Sequence, residues 1–405
     1  MMRFFHCCLA ALFLTLSPAT AQIPGAMGDG VYIDGNITIA SGSPNLTVLG
    51  ASFVSTDIGK AILVPAAGVA GKPLAAIITG YTSPTQITLS VPASTGLAPQ
   101  PATVLYGTND APAIQAAINA LPESGGDLVF PAGIYVVTSE IVIGNGTSSA
   151  ASTRYGVRLS GVGVPSFSFG MFTGYPNKPA VVIASAGTAG NVIKIAGPLQ
   201  GWGIENIAID CGAQANNGLL VVSGQFGDSR NVPITNCRNA GIYSDTVASS
   251  VPGVSNVDSL HNSFYNTAIF VPSIAGAKGI ALTGKAASNT DYNVFTNTAI
   301  YNGGNGVAGF GIYLQACDSN QFFNIHFFNG GPNFAAVTLD YTVNNSWPAS
   351  NMLYGIDVGP PGINTTFQNS GTPGSSARKN IIYGLIETNG GVWPVGIPNL
   401  VSDIP

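Results

Sequence analysis

Gly311-Ile312-Tyr313-Leu314, then Asn320, then Phe322-Phe323-Asn324-Ile325, is the stretch on which the fold turns. Its short apolar runs alternate inward and outward around asparagine corners, with no helical period between them. From residue 190 onward such units recur. Asparagines followed by a mostly apolar residue stand at Asn206, Asn231, Asn256, Asn289, Asn320, Asn351 and Asn380, 25 to 33 residues apart. A second series, small residue plus aliphatic, runs through Gly218-Leu219, Gly241-Ile242, Ala268-Ile269, Gly279-Ile280, Gly311-Ile312 and Ala336-Val337. A helix-free unit of this length with two or three strands is what one coil of a parallel β-solenoid requires. Coils stacked about 4.8 Å apart put equivalent residues in ladders. Asparagine suits the corners because it tolerates left-handed backbone angles and bonds its amide to the next coil. A β-sandwich with Asn-rich turns is the competing reading, but sandwich strands do not repeat at this spacing. Cys211 and Cys237 fall on adjacent coils, as a disulfide or as a plain buried pair.

Upstream of the repeat the pattern changes twice. The stretch Ala111 to about Leu121 reads as one amphipathic helix, with Asp110 as its cap, Pro112 in the first turn and Ile114, Ala117 and Ile118 on one face. A lone helix before many strands suits a plug over the open end of a solenoid. Residues 22–107 read as a small β-rich module of short strands, among them Ala61-Ile62-Leu63-Val64 and Gln86-Ile87-Thr88-Leu89. Residues 1–21 read as a signal peptide: Arg3, the apolar run Leu9 to Leu16, and a small-x-small site at Ala19-Thr20-Ala21, with cleavage expected before Gln22. Export of the mature chain, residues 22–107 plus a solenoid over 108–405, follows.

Composition narrows the function classes. Only 8% of residues are charged and 46% are hydrophobic, which excludes a disordered chain. A net charge of −5 with no basic run argues against nucleic-acid binding. Beyond residue 22 no run of apolar residues is long enough to span a bilayer. Three cysteines outside the signal, Cys211, Cys237 and Cys317, are too few for a disulfide framework.

Gly107-Thr108-Asn109-Asp110-Ala111-Pro112-Ala113-Ile114-Gln115-Ala116-Ala117-Ile118-Asn119, followed by Gly125-Gly126-Asp127-Leu128-Val129-Phe130-Pro131-Ala132-Gly133-Ile134-Tyr135, resembles the opening segment of the pectate-lyase-like superfamily. Phe53 to Lys60, with Asp57-Ile58-Gly59-Lys60, is similar to modules that precede such folds in tailspike-like and hydrolase-related proteins. The resemblance implies an all-β, right-handed parallel β-helix with an N-terminal capping helix. Its members include polygalacturonases, rhamnogalacturonases, epimerase-like proteins and phage tailspikes, so it implies a polysaccharide partner without fixing a reaction.

Two chemistries set the search for a site. Glycoside hydrolysis needs two carboxylates across the scissile bond; a lyase needs a basic side chain, with calcium in the calcium-assisted case. Asp258 and Asp291 each follow a repeat Asn by two residues and are expected to stack on neighbouring coils, with His261 near the first and Asp318 on the next coil. Stacked carboxylates push their pKa values apart, which suits acid/base work; the bland reading is solvated corner aspartates. Asn289-Thr290-Asp291 is similar to the Asn-Thr-Asp motif of polygalacturonases, whose Asp is catalytic, but that family's Gly-His-Gly and Arg-Ile-Lys motifs are absent. Lys285, Tyr292, Tyr301 and Tyr313 are the candidates for substrate binding, the tyrosines as flat platforms for pyranose rings. No metal spacing stands out, and no cofactor is expected unless a lyase takes calcium. The expectation is an exported hydrolase or lyase acting on a glycan, as monomer or homotrimer. The alternative is a non-catalytic glycan-binding or surface structural protein.

Overall fold

A computed structural model describes residues 21–144, 155–165, 180–188, 190–246, 257–284, 289–303, 309–328, 334–340, 342, 348–358, 365–370, 380–387 and 400–402. The expected signal segment up to residue 20, Asn256 and Lys285 lie outside the described residues.

The strands Val31–Ile39, Asn45–Leu49, Ala61–Val64, Leu74–Ser83, Gln86–Leu89 and Leu97–Gly107 close into an antiparallel barrel. Alternation along each strand turns Ile37, Leu46, Val48, Ile62, Val64, Ile78 and Ile87 into its own core, with Phe53 edge-on against Tyr106. The helix Ala111–Ala120 follows. It buries Ala111, Ile114 and Ile118 in the large core of the rest of the chain and packs on the strands Gly133–Val137 and Ile141–Gly144. Asp110 does not cap it with its side chain: the carboxylate turns back to accept from Met27 N (2.7 Å) and Gly28 N (3.1 Å), while Asn109 Oδ1 takes Ala111 N (3.3 Å). Two backbone amides from a distant segment take the carboxylate in place of the local cap.

From Gly126 onward every described strand pairs in parallel with its counterpart one circuit of the chain, or coil, away. One face is built by Gly126–Phe130, Val157–Gly161, Gly203–Glu205, Asp228–Arg230 and Ser263–Tyr265. A second face is built by Gly133–Val137, Val181–Ser185, Ile207–Asp210, Ile234–Thr235 and Ala268–Val271. The longer strands Val294–Asn302, Gln321–Phe328, Met352–Val358 and Ile381–Glu387 continue both faces. The third face runs through Ile141–Gly144, Asn191–Gln200, Asn217–Gln225, Ala240–Asp245, Lys278–Leu282, Gly309–Gln315, Phe334–Asp340 and Thr365–Ser370. Phe264, Phe295 and Phe322 stack inside at 4.4 and 5.0 Å, as the inward-facing periodicity requires.

The coil length read from the sequence matches this register, but the Asn series merges two ladders. Asn206 and Asn231 belong to an outer corner that continues through Asn266, Asn297 and Asn324, each left-handed (φ 51–56°), each Nδ2 donating back to the preceding Oδ1 at 2.8–3.3 Å. Asn320, Asn351 and Asn380 belong to a buried ladder that begins at Asn262 and Asn293; each Nδ2 up to Asn351 donates forward at 2.9–3.0 Å, and that of Asn380 gives to Pro348 O (3.2 Å). Asn289 belongs to neither. In the second series Ala268-Ile269 stands on a different face from the other five pairs. The buried ladder starts with a side chain that can only donate: Trp202 Nε1 gives to Asn262 Oδ1 (3.0 Å). Its indole fills the position of the next coil's missing side chain, Gly227, where a Cβ would stand 2.0 Å from the ring.

A third amide chain runs along the start of the third face, its first two members buried. Asn191 donates to Glu140, Asn217 to Asn191 (2.7 Å), Asn239 to Asn217 (2.9 Å), and Lys278 Nζ to Asn239 Oδ1 (3.2 Å). A one-way chain of amides needs an acceptor at one end and a donor at the other, and Glu140 and Lys278 supply them.

Cys211 and Cys237 form a disulfide between adjacent coils, with Cα atoms 4.8 Å apart. Closing a 26-residue loop restricts the unfolded chain by about 3 kcal/mol. The double alanine variant is therefore expected to lose stability of that order in chemical denaturation; a change below about 1 kcal/mol would contradict the cross-link.

Candidate functional site

Each coil leaves the third face through a short tail and turns a two-residue corner. In register on these tails stand Gln225, Leu260, Asp291 and Asp318, followed by a bridge from Asp318 to Ala349. The next residue along is left-handed in every coil: Phe226, His261, Tyr292, Ser319 and Ser350, with φ between 51° and 57°. The residue after that points inward and is Gly227 or an asparagine of the buried ladder. Carboxylates, exposed corner residues and the amide ladder are thus three adjacent rows.

Asp291 and Asp318 are in register on neighbouring coils, so their Cα atoms are about 5 Å apart. Asp258 lies two residues out of line: its counterpart is Asn289, whose N–H donates to Asp258 Oδ1 (2.9 Å). The expected stacking of Asp258 over Asp291 is corrected to this offset, because the buried asparagines and not Asn289 set the register. Asp318 N donates to Asp291 Oδ1 (2.9 Å), and Ser319 Oγ donates to Asp318. Burial pushes the Asp291 carboxyl up to about 7, helped by the charges of Asp318 and then Asp258, against the hydrogen bonds from Asp318 N and Asn289. Asp291 thus holds a proton near neutrality beside a second carboxyl group one coil away.

His261 joins the cluster through the corner row. Its ring is stacked between Phe226 (5.2 Å) and Tyr292 (5.1 Å), nearly parallel to both. The ladder has three rings only, since the following corners are Ser319 and Ser350. Phe226 is 56% exposed and Tyr292 51%. Tyr292 therefore has one face covered by His261 and its other face over the small side chain of Ser319, next to Asp318. The sequence marks these positions but not the outward turn of the row, because the sign of φ at a Phe, His or Tyr is not readable from residue type.

The other tyrosines stand elsewhere. Tyr301 is sandwiched between Phe270 (4.6 Å) and Phe328 (4.8 Å) on the second face, so both ring faces are covered and only its edge meets solvent. Tyr313 is on the third face, where its hydroxyl donates to Asp340 and Lys278 Nζ lies 5.3 Å from its ring. His326 bridges Asn324 Oδ1 and Asp357 (3.0 Å each), away from the carboxylate row. Among the described residues no three His, Cys, Asp or Glu side chains converge as metal ligands, and no helix is long and apolar enough to cross a membrane.

No family model and no curated protein matches the chain. Solved structures do resemble it. ORF18 of Geobacillus virus E2 is 18% identical at a TM-score of 0.44, with 73% of this chain and 57% of that chain aligned. An alginate lyase from Paenibacillus sp. is 12% identical at 0.40, covering 69% of this chain and 94% of that one. The catalytic domain of a GH87 α-1,3-glucanase is 10% identical at 0.39, covering 94% and 90%. The chain spans little more than half the length of the viral protein.

Proposed function

We propose that the chain is an exported, polysaccharide-active protein, a right-handed parallel β-helix whose first coil is covered by the helix Ala111–Ala120, and that it hydrolyses a glycosidic bond at the Asp291–Asp318 row. The observation that carries this reading is the Asp291 carboxyl, held near 7 beside Asp318 and next to the open ring face of Tyr292. In this reading Asp291 protonates the leaving-group oxygen, and Asp318 attacks the anomeric carbon. Register one coil apart sets their Cα atoms about 5 Å apart, a spacing that allows the close carboxyl pair of the retaining class, in which the second carboxylate is the nucleophile. Asp258 serves to keep the proton on Asp291. Tyr292 supports a sugar ring, and His261 holds Tyr292 in place from beneath. Among the described residues no Lys or Arg pairs with this row; Lys285, the basic side chain a lyase would draw on, lies outside them.

A panel of glycans assayed for new reducing ends and for the ultraviolet absorbance of unsaturated uronates tests the reading. Reducing ends alone support it, and unsaturated product would replace it with a lyase. Binding without product would favour a glycan-binding protein, which the exposed ring ladder also suits. In either binding case Tyr292→Ala is expected to weaken glycan affinity about tenfold, the loss of one stacked ring. An unchanged affinity in a titration would remove Tyr292 from the site.

A further inference from the structure

A concavity with convergent polar groups lies away from the carboxylate row, between the barrel and the first coils. It has a volume of about 430 Å³, within the range of small-molecule sites. Its walls are apolar: the rings of Pro65, Pro73 and Pro101, and the side chains of Leu63 and Leu105. Its polar end is Asp210, the last residue of the strand Ile207–Asp210 and only 5% exposed. Asp210 Oδ1 is filled by Gly212 N (2.9 Å) and Asn236 Nδ2 (3.0 Å). Oδ2 accepts the Tyr32 hydroxyl (2.6 Å), which leaves one lone pair on that oxygen. No Lys, Arg or His among the described residues forms an ion pair with it. A carboxylate taken out of water is normally matched by a cation, and here the unmatched side faces a cavity.

The geometry points to a binding site for a small organic cation: a primary ammonium on a compact apolar body. The ammonium bonds the remaining lone pair of Asp210, and the apolar body lies against the proline and leucine walls. The Tyr32 hydroxyl stays a donor in this arrangement, since burial and then the Asp210 charge push its ionisation well above the usual tyrosine range. The site shares no residue with the Asp291–Asp318 row, so the two readings stand or fall separately.

The test uses the full chain at neutral pH with two probes of the same shape, cyclohexylmethylamine and the neutral cyclohexylmethanol, titrated calorimetrically. The amine is expected to bind at least tenfold more tightly than the alcohol. Asp210→Asn keeps the Oδ1 acceptor for Gly212 N and Asn236 Nδ2, turns an amide donor towards the Tyr32 hydroxyl, which can rotate to accept it, and removes the charge; it is expected to bring the amine down to the level of the alcohol. Equal affinities on the unaltered chain, no binding of the amine, or a preference that survives Asp210→Asn would each overturn the assignment. The two-probe comparison on the unaltered chain decides the matter even if the variant does not fold.

Discussion

Asp291→Asn is expected to lower glycan hydrolysis by about a thousandfold or more, the contribution of a positioned general acid, and at the same time to stabilise the protein at pH 8. The sign follows from the titration. In the folded chain the Asp291 carboxyl titrates at about 7, against 3.8 for an ordinary aspartate. Between these values the folded chain keeps a proton that the unfolded chain has lost, so stability falls as pH rises from about 4 through 7 and is flat above. Each unit is about 1.4 kcal/mol; because the carboxyl still meets solvent, about 2 kcal/mol is the expected size at pH 8. Asparagine cannot ionise, so the variant escapes the loss at pH 8 and matches the parent near pH 4. Activity of the parent should fall as pH rises through about 7, where the acid loses its proton. Denaturation curves at the two pH values and a pH–rate profile check both halves. A variant that is stabilised but fully active would leave Asp291 a strained corner residue and no catalyst.

The Asp291–Asp318 row lies in a register that asparagine spacing alone does not give, and the reason is physical. Asparagine serves three positions in one coil: the left-handed outer corner, the buried ladder behind the carboxylates, and the amide chain from Glu140 to Lys278. Counting asparagines recovers the coil length and blurs the phase. The phase was nevertheless in the sequence: Asn262-Ser263-Phe264-Tyr265-Asn266, Asn293-Val294-Phe295-Thr296-Asn297 and Asn320-Gln321-Phe322-Phe323-Asn324 share one pattern, buried Asn, core Phe, outer Asn. Aligned on it, Asp291 and Asp318 fall together and Asp258 two positions earlier. Phe226, His261 and Tyr292 occupy the position just before, which the pattern marks but whose outward stacking only the backbone angle decides. Tyr301 was legible as an aromatic on a strand, but a platform needs an uncovered face, and whether coils above and below also carry rings there depends on that same alignment. The barrel was legible as β-rich and not as closed, since closure depends on the long-range pairing of Val31–Ile39 with Leu97–Gly107.

Asn320→Ala is expected to cost about 4 kcal/mol or more, the largest single loss outside the cores. Asn320 is fully buried; its Oδ1 accepts both Asn293 N (3.0 Å) and Asn293 Nδ2 (2.9 Å), and its Nδ2 reaches Asn351 Oδ1 (3.0 Å), Thr290 O (2.8 Å) and Asp318 O (3.1 Å). Alanine leaves two buried donors of Asn293 without their acceptor, at about 1–3 kcal/mol each, and adds a void. Asn320→Asp keeps the acceptor but turns a second one on Asn351 Oδ1 and Thr290 O, and buries a charge beside Asp318, so it should be no better. The outer corner is the control. Asn324→Ala removes two exposed side-chain bonds, to Asn297 Oδ1 and with His326 Nε2, and places alanine at φ 54°, at about 1–2 kcal/mol in all. Urea midpoints of the three variants measure the contrast; equal losses at Asn320 and Asn324 would mean that the buried ladder contributes no more than a surface one. Because Asn320 also bonds the backbone carbonyls of Thr290 and Asp318, the residues that precede and carry the two carboxylates, its loss should loosen the Asp291–Asp318 spacing. Hydrolysis in Asn320→Ala is therefore expected to fail at temperatures where the rest of the chain is still folded.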